Sequence, residues 1–188
     1  MLSRLESIFC RRKKKESMKK PIENFKFKRL GKEYLPQLMD LQNEVFATLP
    51  DESLLRKNTV ETFQPCFLPP SVVLGAFYDG VLVGVGILLY PDEEEDLSLQ
   101  AVNLPENAVC ANLKLTLVKP SFFGNGLQIN LLNRLEDFAK EMGTDFLCAT
   151  VSPLNVYSLT NLSAVGYQKN TTVKKYGGLE RLLMVKKL

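Results

Sequence analysis

The feature that most constrains this chain is a glycine-containing turn between an apolar strand and a long amphipathic helix. The turn lies in segment 118–128, which reads VKPSFFGNGLQ. Glycine lets the backbone pass close to a ligand without a side chain in between. The helix that follows directs unpaired N–H groups and the positive end of its dipole toward the same place. The segment therefore predicts an anion site suited to a phosphate group.

The residues on either side of the turn predict a strand, a crossover helix and a second strand. Apolar residues alternate with polar ones through 109–118, as in a strand, until Val118 follows Leu117 directly. That break indicates either a bulge or the end of the strand. Apolar residues then recur at helical spacing as far as Met142, and the run 145–151 predicts a buried strand. Such a unit is parallel and right-handed.

The remaining segments place this unit in a mixed sheet. Asp79-Gly80 predicts a hairpin turn, and Gly84 and Gly86 in the returning strand predict a close neighbour or a bulge. We predict further strands over 25–28, 71–78, 81–90, 168–173 and 179–186, and helices over 32–47, 51–63 and about 153–165. The order β-α-α-β-β-β-α-β-α-β-β predicts one α/β (α+β) domain with a mixed, mostly antiparallel sheet.

Composition excludes several classes of protein. A chain of 188 residues with 45% apolar residues fits one soluble globular domain. No apolar run is long enough for a membrane span, and the first 20 residues lack the apolar core of a secretory signal. The basic residues of segment 11–20 account for more than the whole net charge of +3, which argues against a nucleic-acid-binding core. We expect residues 1–22 to be a solvated tail or a tether to an anionic surface or a nucleic acid, and 23–188 to be the folded domain.

The cysteines and the absence of histidine bound the chemistry. Cys10, Cys66, Cys110 and Cys148 include no C-x-x-C pair, and the chain has no histidine. We therefore expect no metal site, and no cysteine nucleophile, since no imidazole can activate one. Reduced thiols inside apolar strands are typical of a cytoplasmic protein.

Two segments together resemble a known family. A lone G-x-G occurs in many ordinary turns, and the chain has neither a P-loop nor a Rossmann fingerprint. Here, however, V-x-P and G-x-G precede the helix, and V-S-P-L-N-x-x-S-x-x-N-x-x-x-x-G-Y follows the next strand.

Over residues 25–188 the chain resembles the GNAT superfamily of acyl-CoA-dependent N-acyltransferases. Its turn signature is Q/R-x-x-G-x-G/A, where Phe123, Gly126 and Gln128 take the three defined places. The second segment is matched by Asn155, Ser158, Asn161, Gly166 and Tyr167.

The resemblance implies a fold, a cofactor and a reaction. The fold is a GNAT-like mixed sheet with a central βαβ unit and helices on both faces. The reaction is transfer of an acetyl or other acyl group from acetyl-CoA to an amine, by direct attack in a cleft where the strands ending at Val118 and Val151 splay apart. The implied cofactor-binding residues are Leu117, Val118, Phe123, Gly124, Asn125, Gly126, Leu127, Gln128, Asn155 and Asn161.

Departures from the family pattern leave the catalytic groups open. Leu162 stands where many members carry a tyrosine as general acid, so Ser158 or Tyr157 is the substitute we consider. The candidate bases are Glu44, Glu52 and Glu61, and the acidic run 92–96 is either a border of the substrate site or a solvated loop. Asn155 fits a helix cap as well as a ligand, and Tyr167 and Tyr176 fit packing roles. A catalytically weak acyl-CoA-binding module is the alternative. The acceptor, a small-molecule or peptide amine, and the choice between monomer and dimer stay open.

Overall fold

The protein is a seven-stranded mixed sheet covered by helices on both faces. The computed structural model describes residues 19–188. The strands are β1 Lys26–Arg29, β2 Val72–Tyr78, β3 Val81–Leu89, β4 Cys110–Val118, β5 Phe146–Val151, β6 Gln168–Lys175 and β7 Leu179–Lys187. The helices are α1 Leu35–Phe46, α2 Val60–Phe63, α3 Leu127–Glu141 and α4 Val156–Ala164. The sheet order is β1-β2-β3-β4-β5-β7-β6, in which only β4 and β5 are parallel neighbours. This confirms the predicted fold class.

Each face of the sheet carries its own apolar core. Leu127, Leu131 and Leu135 of α3 pack on one face together with Leu162 of α4. Leu38 and Leu41 of α1 pack on the opposite face, together with Phe63 of α2. Burying a leucine side chain stabilises the fold by about 1.5–3 kcal/mol, so these two layers fix both helix pairs on the sheet.

The glycines of the β2–β3 hairpin have the roles that the sequence predicts. Asp79 and Gly80 both have positive φ, 48° and 80°, as a two-residue type I′ turn requires. A Cβ atom on Gly86 would lie 2.9 Å from the side chain of Leu135, so this glycine lets α3 approach β3 closely. The close neighbour predicted at this position is therefore α3.

The prediction of one helix over residues 51–63 is wrong. The segment forms a short 3₁₀ turn, Glu52–Leu54, and only a single α-helical turn, α2, which Thr59 caps. The reason lies in the buried side chain of Gln42, whose Oε1 accepts from the main-chain N–H of Asn58 at 2.9 Å. Its Nε2 donates to the carbonyl oxygen of Asn58, also at 2.9 Å. These two bonds hold the segment between the two turns away from helical geometry.

Strand β4 contains a bulge, four residues before the position at which the sequence suggested one. Ile87 pairs with Leu115 and Leu88 pairs with Leu113, so Lys114 is the extra residue. Ala111 and Leu113 therefore face the α3 side, whereas Leu115 and Leu117 face the α1 side. Because one inserted residue reverses the alternation, the apolar residues before and after the bulge lie on opposite faces of the sheet.

The predicted tail lies mostly outside the described residues. Its last members are placed: the main-chain N–H of Lys20 donates to Asn125 Oδ1 at 2.7 Å. The ammonium group of Lys20 lies 4.3 Å from the centre of the Tyr78 ring. Within residues 19–188, no helix combines the length and the apolar character that crossing a membrane requires.

Candidate active site

The site is a cleft that opens where β4 and β5 separate. These strands pair only from Cys110 to Asn112 on β4 and from Phe146 to Cys148 on β5. Beyond that point β4 remains paired with β3, and β5 remains paired with β7. The edge of β4 from residue 113 to 118 therefore has no partner on the β5 side. Ligands of open α/β sheets bind at the carboxyl ends of parallel strands, which is where this cleft lies.

The glycine turn at the end of β4 presents a row of unbonded amides. Gly124 and Gly126 have positive φ, 82° and 71°, and the start of α3 has no side-chain cap. The main-chain N–H groups from Gly124 to Ile129 donate to no acceptor among residues 19–188. By contrast, Asn155 caps α4 and Thr59 caps α2. Several convergent N–H groups at the positive end of a helix favour a bound anion.

The side chains of the turn support its shape and leave its outer surface open. Asn125 Nδ2 donates to the carbonyl oxygen of Phe122 at 2.9 Å, which ties the loop across itself. Leu127 is buried and anchors the start of α3 in the core. Phe123 is 59% exposed, and a Cβ atom on Gly124 would meet nothing within 4 Å. The predicted cofactor residues of this segment are thus brought together around one exposed loop.

Main-chain groups of β4 are divided between the sheet and the cleft. The N–H of Lys119 donates to Val83 on β3, and the carbonyl oxygen of Leu117 also faces β3 near Gly84. Because successive residues of a strand direct their main-chain groups to opposite edges, Thr116 and Val118 face the cleft. Of the two predicted β4 residues, Val118 is therefore directed into the cleft and Leu117 is not.

A polar network joins α3 to β4 and to α4 across the cleft. Gln128 Nε2 donates to Thr116 Oγ1 at 3.0 Å and to Ser158 Oγ at 3.1 Å. Gln128 Oε1 accepts from Asn161 Nδ2 at 2.7 Å. We call these three hydrogen bonds the Gln128 bridge. The structure therefore brings together three of the predicted residues, Gln128, Ser158 and Asn161.

The other predicted residues of α4 have different environments. Asn155 caps the helix, since its Oδ1 accepts from the N–H of Ser158 at 3.1 Å. Tyr157 is 87% exposed and does not line the cleft, because its position on the helix points it to solvent. Leu162, in the place of the family tyrosine, is buried against the cleft. Ser158 is thus the only predicted catalytic residue that the structure places in the cleft.

The opposite mouth of the cleft carries an ion-paired cluster. Glu95 lies 2.8 Å from Arg56 Nη1 and 2.5 Å from Lys114 Nζ, the side chain of the bulged residue. Burial raises the pKa of Glu95, but hydrogen bonds and charges from Lys114 and Arg56 outweigh it, and the net pKa is lowered. The acidic run thus borders the cleft, and Glu95 is a poor proton acceptor there.

Tyr176 is a cleft residue that the sequence did not indicate. Its hydroxyl lies 3.3 Å from Thr150 Oγ1, and its ring lies under the guanidinium group of Arg56 at 4.7 Å. Its φ of 53° is unusual for a bulky residue and belongs to the β6–β7 turn. From the sequence we expected a packing role for Tyr176. Its only distinctive feature there is its place directly before Gly177 and Gly178.

None of the carboxylates predicted as bases lines the cleft. Glu44 forms an ion pair with Lys119 at 3.0 Å on the α1 side of the sheet. Glu52 and Glu61 are exposed, and hydrogen bonding with Thr59 lowers the pKa of Glu61. Glu94 and Glu95 are the carboxylates that line the cleft mouth instead. Glu44, Glu52 and Glu61 therefore lie away from the cleft, and their role as bases stays a prediction.

Thiol and metal chemistry receive no support from the described residues. Cys66, Cys110 and Cys148 are free. Burial raises the pKa of Cys66 to about 11 and that of Cys148 to about 12, so both thiols are protonated at neutral pH. Residues 19–188 contain no group of three or more Cys, Asp or Glu side chains arranged to hold a metal ion.

The cavities of the cleft are small. The one lined by Thr116, Gln128 and Ser158 measures about 60 Å³, and the adjoining one at Arg56 and Glu95 measures about 180 Å³. A larger groove of about 820 Å³ lies between α1 and the β1–β3 strands, and it contains none of the predicted cofactor residues. Size alone therefore does not select the candidate site. The unbonded amides and the split sheet are the observations that favour the cleft.

Comparisons with known proteins agree with this fold. A profile of the acetyltransferase (GNAT) family matches residues 35–166. The fold is similar to yncA from Salmonella typhimurium, solved with its cofactor acetyl-CoA, at 18% identity and a TM-score of 0.65, covering 88% of this chain and 94% of that one. It is also similar to the ribosomal-protein-S18-alanine N-acetyltransferase of Escherichia coli, at 17% identity and a TM-score of 0.66, covering 87% and 93%. The PaiA N-acetyltransferase of Thermoplasma acidophilum, in complex with coenzyme A, matches at 17% identity and a TM-score of 0.59, covering 87% and 99%. A search of curated proteins returned no match.

Proposed function

The chain belongs to the acetyltransferase (GNAT) family, and from that premise we propose that it transfers an acetyl group from acetyl-CoA to an amine. The observation that carries the proposal is the row of unbonded amides from Gly124 to Ile129 at one end of the split between β4 and β5. An anion site and an unpaired strand edge adjoin there, as a long cofactor with a diphosphate and an amide-containing arm requires.

The residues present fit such a cofactor at both ends of its path. The turn amides would hold the diphosphate, and the main-chain groups of Thr116 and Val118 would bond to the arm. Acetyl-CoA supplies a thioester whose carbonyl carbon is open to attack by an amine. The chain contributes the orientation of the two reactants, which accelerates a reaction between bound groups.

In this site we propose a hydroxyl group as the proton donor, and water or a carboxylate as the proton acceptor. Ser158 and Tyr176 line the cleft and carry hydroxyl groups that can donate a proton, so we propose one of them as the proton donor to the leaving sulfur. The amine must arrive neutral or lose its proton before it attacks. Because Glu95 is held by two cations, the proposed acceptor of that proton is water or the exposed Glu94.

The acceptor side is the mouth formed by Arg56, Glu95 and Tyr176. We propose a primary amine, on a small molecule or a peptide, as the group that enters there. The three free thiols of the described chain support a reducing, cytoplasmic location.

The direct test is turnover of isotope-labelled acetyl-CoA with a panel of amines and peptides. We expect label to appear in at least one amine product, and Gly126→Asp to reduce it at low cofactor concentration, because this variant binds the cofactor more weakly. Binding of acetyl-CoA without transfer to any amine would contradict the enzymatic proposal.

A catalytically weak acyl-CoA-binding module is the second candidate. Two observations favour it: Leu162 replaces the family tyrosine, and Tyr157 is directed to solvent. The labelled-cofactor experiment separates the two functions, since the module binds the cofactor and leaves every amine unmodified.

A further inference from the structure

The cleft residue Gln128 obstructs the path of the proposed cofactor. A linear arm that starts at the glycine turn and reaches the bulge at Lys114 must follow β4 from Val118 to Leu115, about 10 Å along a strand. Thr116 lies in the middle of that path, and its hydroxyl is bonded to Gln128. The same Gln128 amide is bonded to Ser158 and Asn161 on α4. The bridge thus spans the path between β4 and α4.

The space left beside the bridge is too small for the arm. The cavity beside the bridge measures about 60 Å³. Organic ligands occupy pockets of about 300 Å³ or more. Arg56 and Tyr176 line both this cavity and the adjoining acceptor mouth. Gln128 also lines this cavity, and it lies in the first turn of α3, directly after the glycine turn.

Every polar atom of the Gln128 side chain is used in holding the bridge. The amide nitrogen donates twice and the oxygen accepts once, to partners on two different elements. An alanine or glycine at this position, as the family signature has, could make none of these bonds. We propose that Gln128 closes the cofactor path, and that its bonds to β4 and α4 must break before an acyl-pantetheine arm enters. Gln128 thereby sets the affinity for the cofactor, an inference that rests on the proposed function for the identity of its ligand.

The first experiment tests the closure without any ligand. Hydrogen exchange of the α4 amides is compared in the wild-type protein, Gln128→Ala and Gln128→Met, which keeps the length of the side chain and loses its hydrogen bonds. We expect about tenfold faster exchange in both variants, because each loses the three bonds that tie α4 to α3 and β4. Asn130→Ala is the matched control: its carboxamide also lies in the first turn of α3, but it donates to Gly126 within the turn. Equal exchange in all four proteins overturns the proposal.

The second experiment measures the affinity for coenzyme A itself by calorimetry. We expect Gln128→Ala to bind about tenfold more tightly than the wild-type protein, because binding no longer breaks the bridge, and Asn130→Ala to match the wild type. Unchanged or weaker binding by Gln128→Ala contradicts the gating role while leaving the proposed function intact. Absence of binding by both proteins contradicts the proposed function, and the gating role with it.

Discussion

Gly126 has a backbone conformation that favours glycine, and it lies among the amides that would hold the diphosphate of the cofactor. Its φ of 71° suits glycine or asparagine, and the N–H groups around it are unbonded. We expect Gly126→Asp to weaken coenzyme A binding by about tenfold or more, because like charges about 4 Å apart near a surface repel by about 4 kcal/mol before screening. Calorimetric titration of the variant with coenzyme A measures the effect.

Gly126→Asn is the control for that variant, since it has the same shape and the same tolerance of positive φ without the charge. It should retain most of the affinity, and its free energy of unfolding should stay within about 1 kcal/mol of the wild-type value. If both variants bind coenzyme A equally well, the diphosphate does not lie against this turn.

Glu95 joins two cations, and one of them, the Lys114 side chain, is only 7% exposed. Replacing Glu95 by glutamine should lower the free energy of unfolding by about 1–2 kcal/mol at pH 7, a value discounted for the partial solvation of the pair. The pKa of Glu95 in the folded protein lies below its pKa in the unfolded chain. The unfolded value is about 4.3. Its contribution is therefore complete above about pH 5 and is lost as the pH falls through the folded pKa. Urea denaturation at pH 7 and pH 3 measures both effects.

The neighbouring Glu94 supplies the comparison for this experiment, because it is exposed. Glu94→Gln should change the free energy of unfolding by less than about 0.5 kcal/mol at either pH. A deficit in Glu95→Gln that is as large at pH 3 as at pH 7 would mean that charge pairing is not the source of the stability.

At the scale of elements, α4 begins at Asn155, where the sequence left cap and ligand open. Asn155→Ala should cost about 1 kcal/mol in the free energy of unfolding, because the N–H of Ser158 loses its acceptor. Asn155→Asp retains an oxygen at the same place and should restore most of that loss. Chemical denaturation measures the stability, and calorimetry measures the affinity for coenzyme A. Affinity that falls more than about tenfold in Asn155→Ala at unchanged stability would make this residue a ligand.

Local patterns predicted the elements well where they are long and periodic. The β2–β3 hairpin, α3 and the β4–α3–β5 unit follow from turn residues and spacing, and a parallel crossover has only one common hand. The segment after α1 failed because its conformation depends on Gln42, a side chain 16 residues away from its partner Asn58. Helical spacing within the segment carries no information about that bond.

Within the site, the sequence predicted the turn better than the cleft. Gly124 and Gly126 have positive φ, a conformation that favours glycine. Because this preference is local, it can be predicted from the sequence. The bulge at Lys114 is set by pairing with β3, and the positions of Tyr176 and Glu95 depend on how distant turns meet. Gln128 was recognised as a departure from the family pattern, but its bonds to Thr116, Ser158 and Asn161 depend on the packing of three elements.

Over the whole molecule, the cofactor path crosses the junction between two halves of the sheet. One half contains β1 to β4, the other contains β5, β7 and β6, and only three residue pairs of β4 and β5 join them directly. A ligand that contacts both halves binds the folded state and has little affinity for the unfolded chain. Such a ligand should therefore stabilise the entire domain through linkage.

Coenzyme A at 100 times its Kd should add about 2.7 kcal/mol to the free energy of unfolding, which corresponds to a rise in Tm of about 5–10 °C for a domain of this size. Pantetheine at the same concentration should give a smaller rise, because it lacks the diphosphate that the amides of Gly124 to Ile129 would hold. Differential scanning calorimetry over a ligand series measures both shifts. Equal shifts for the two ligands would place the binding energy in the arm and remove the role assigned to the glycine turn. No shift with coenzyme A at any concentration would mean that the family fold is retained in this chain without its cofactor.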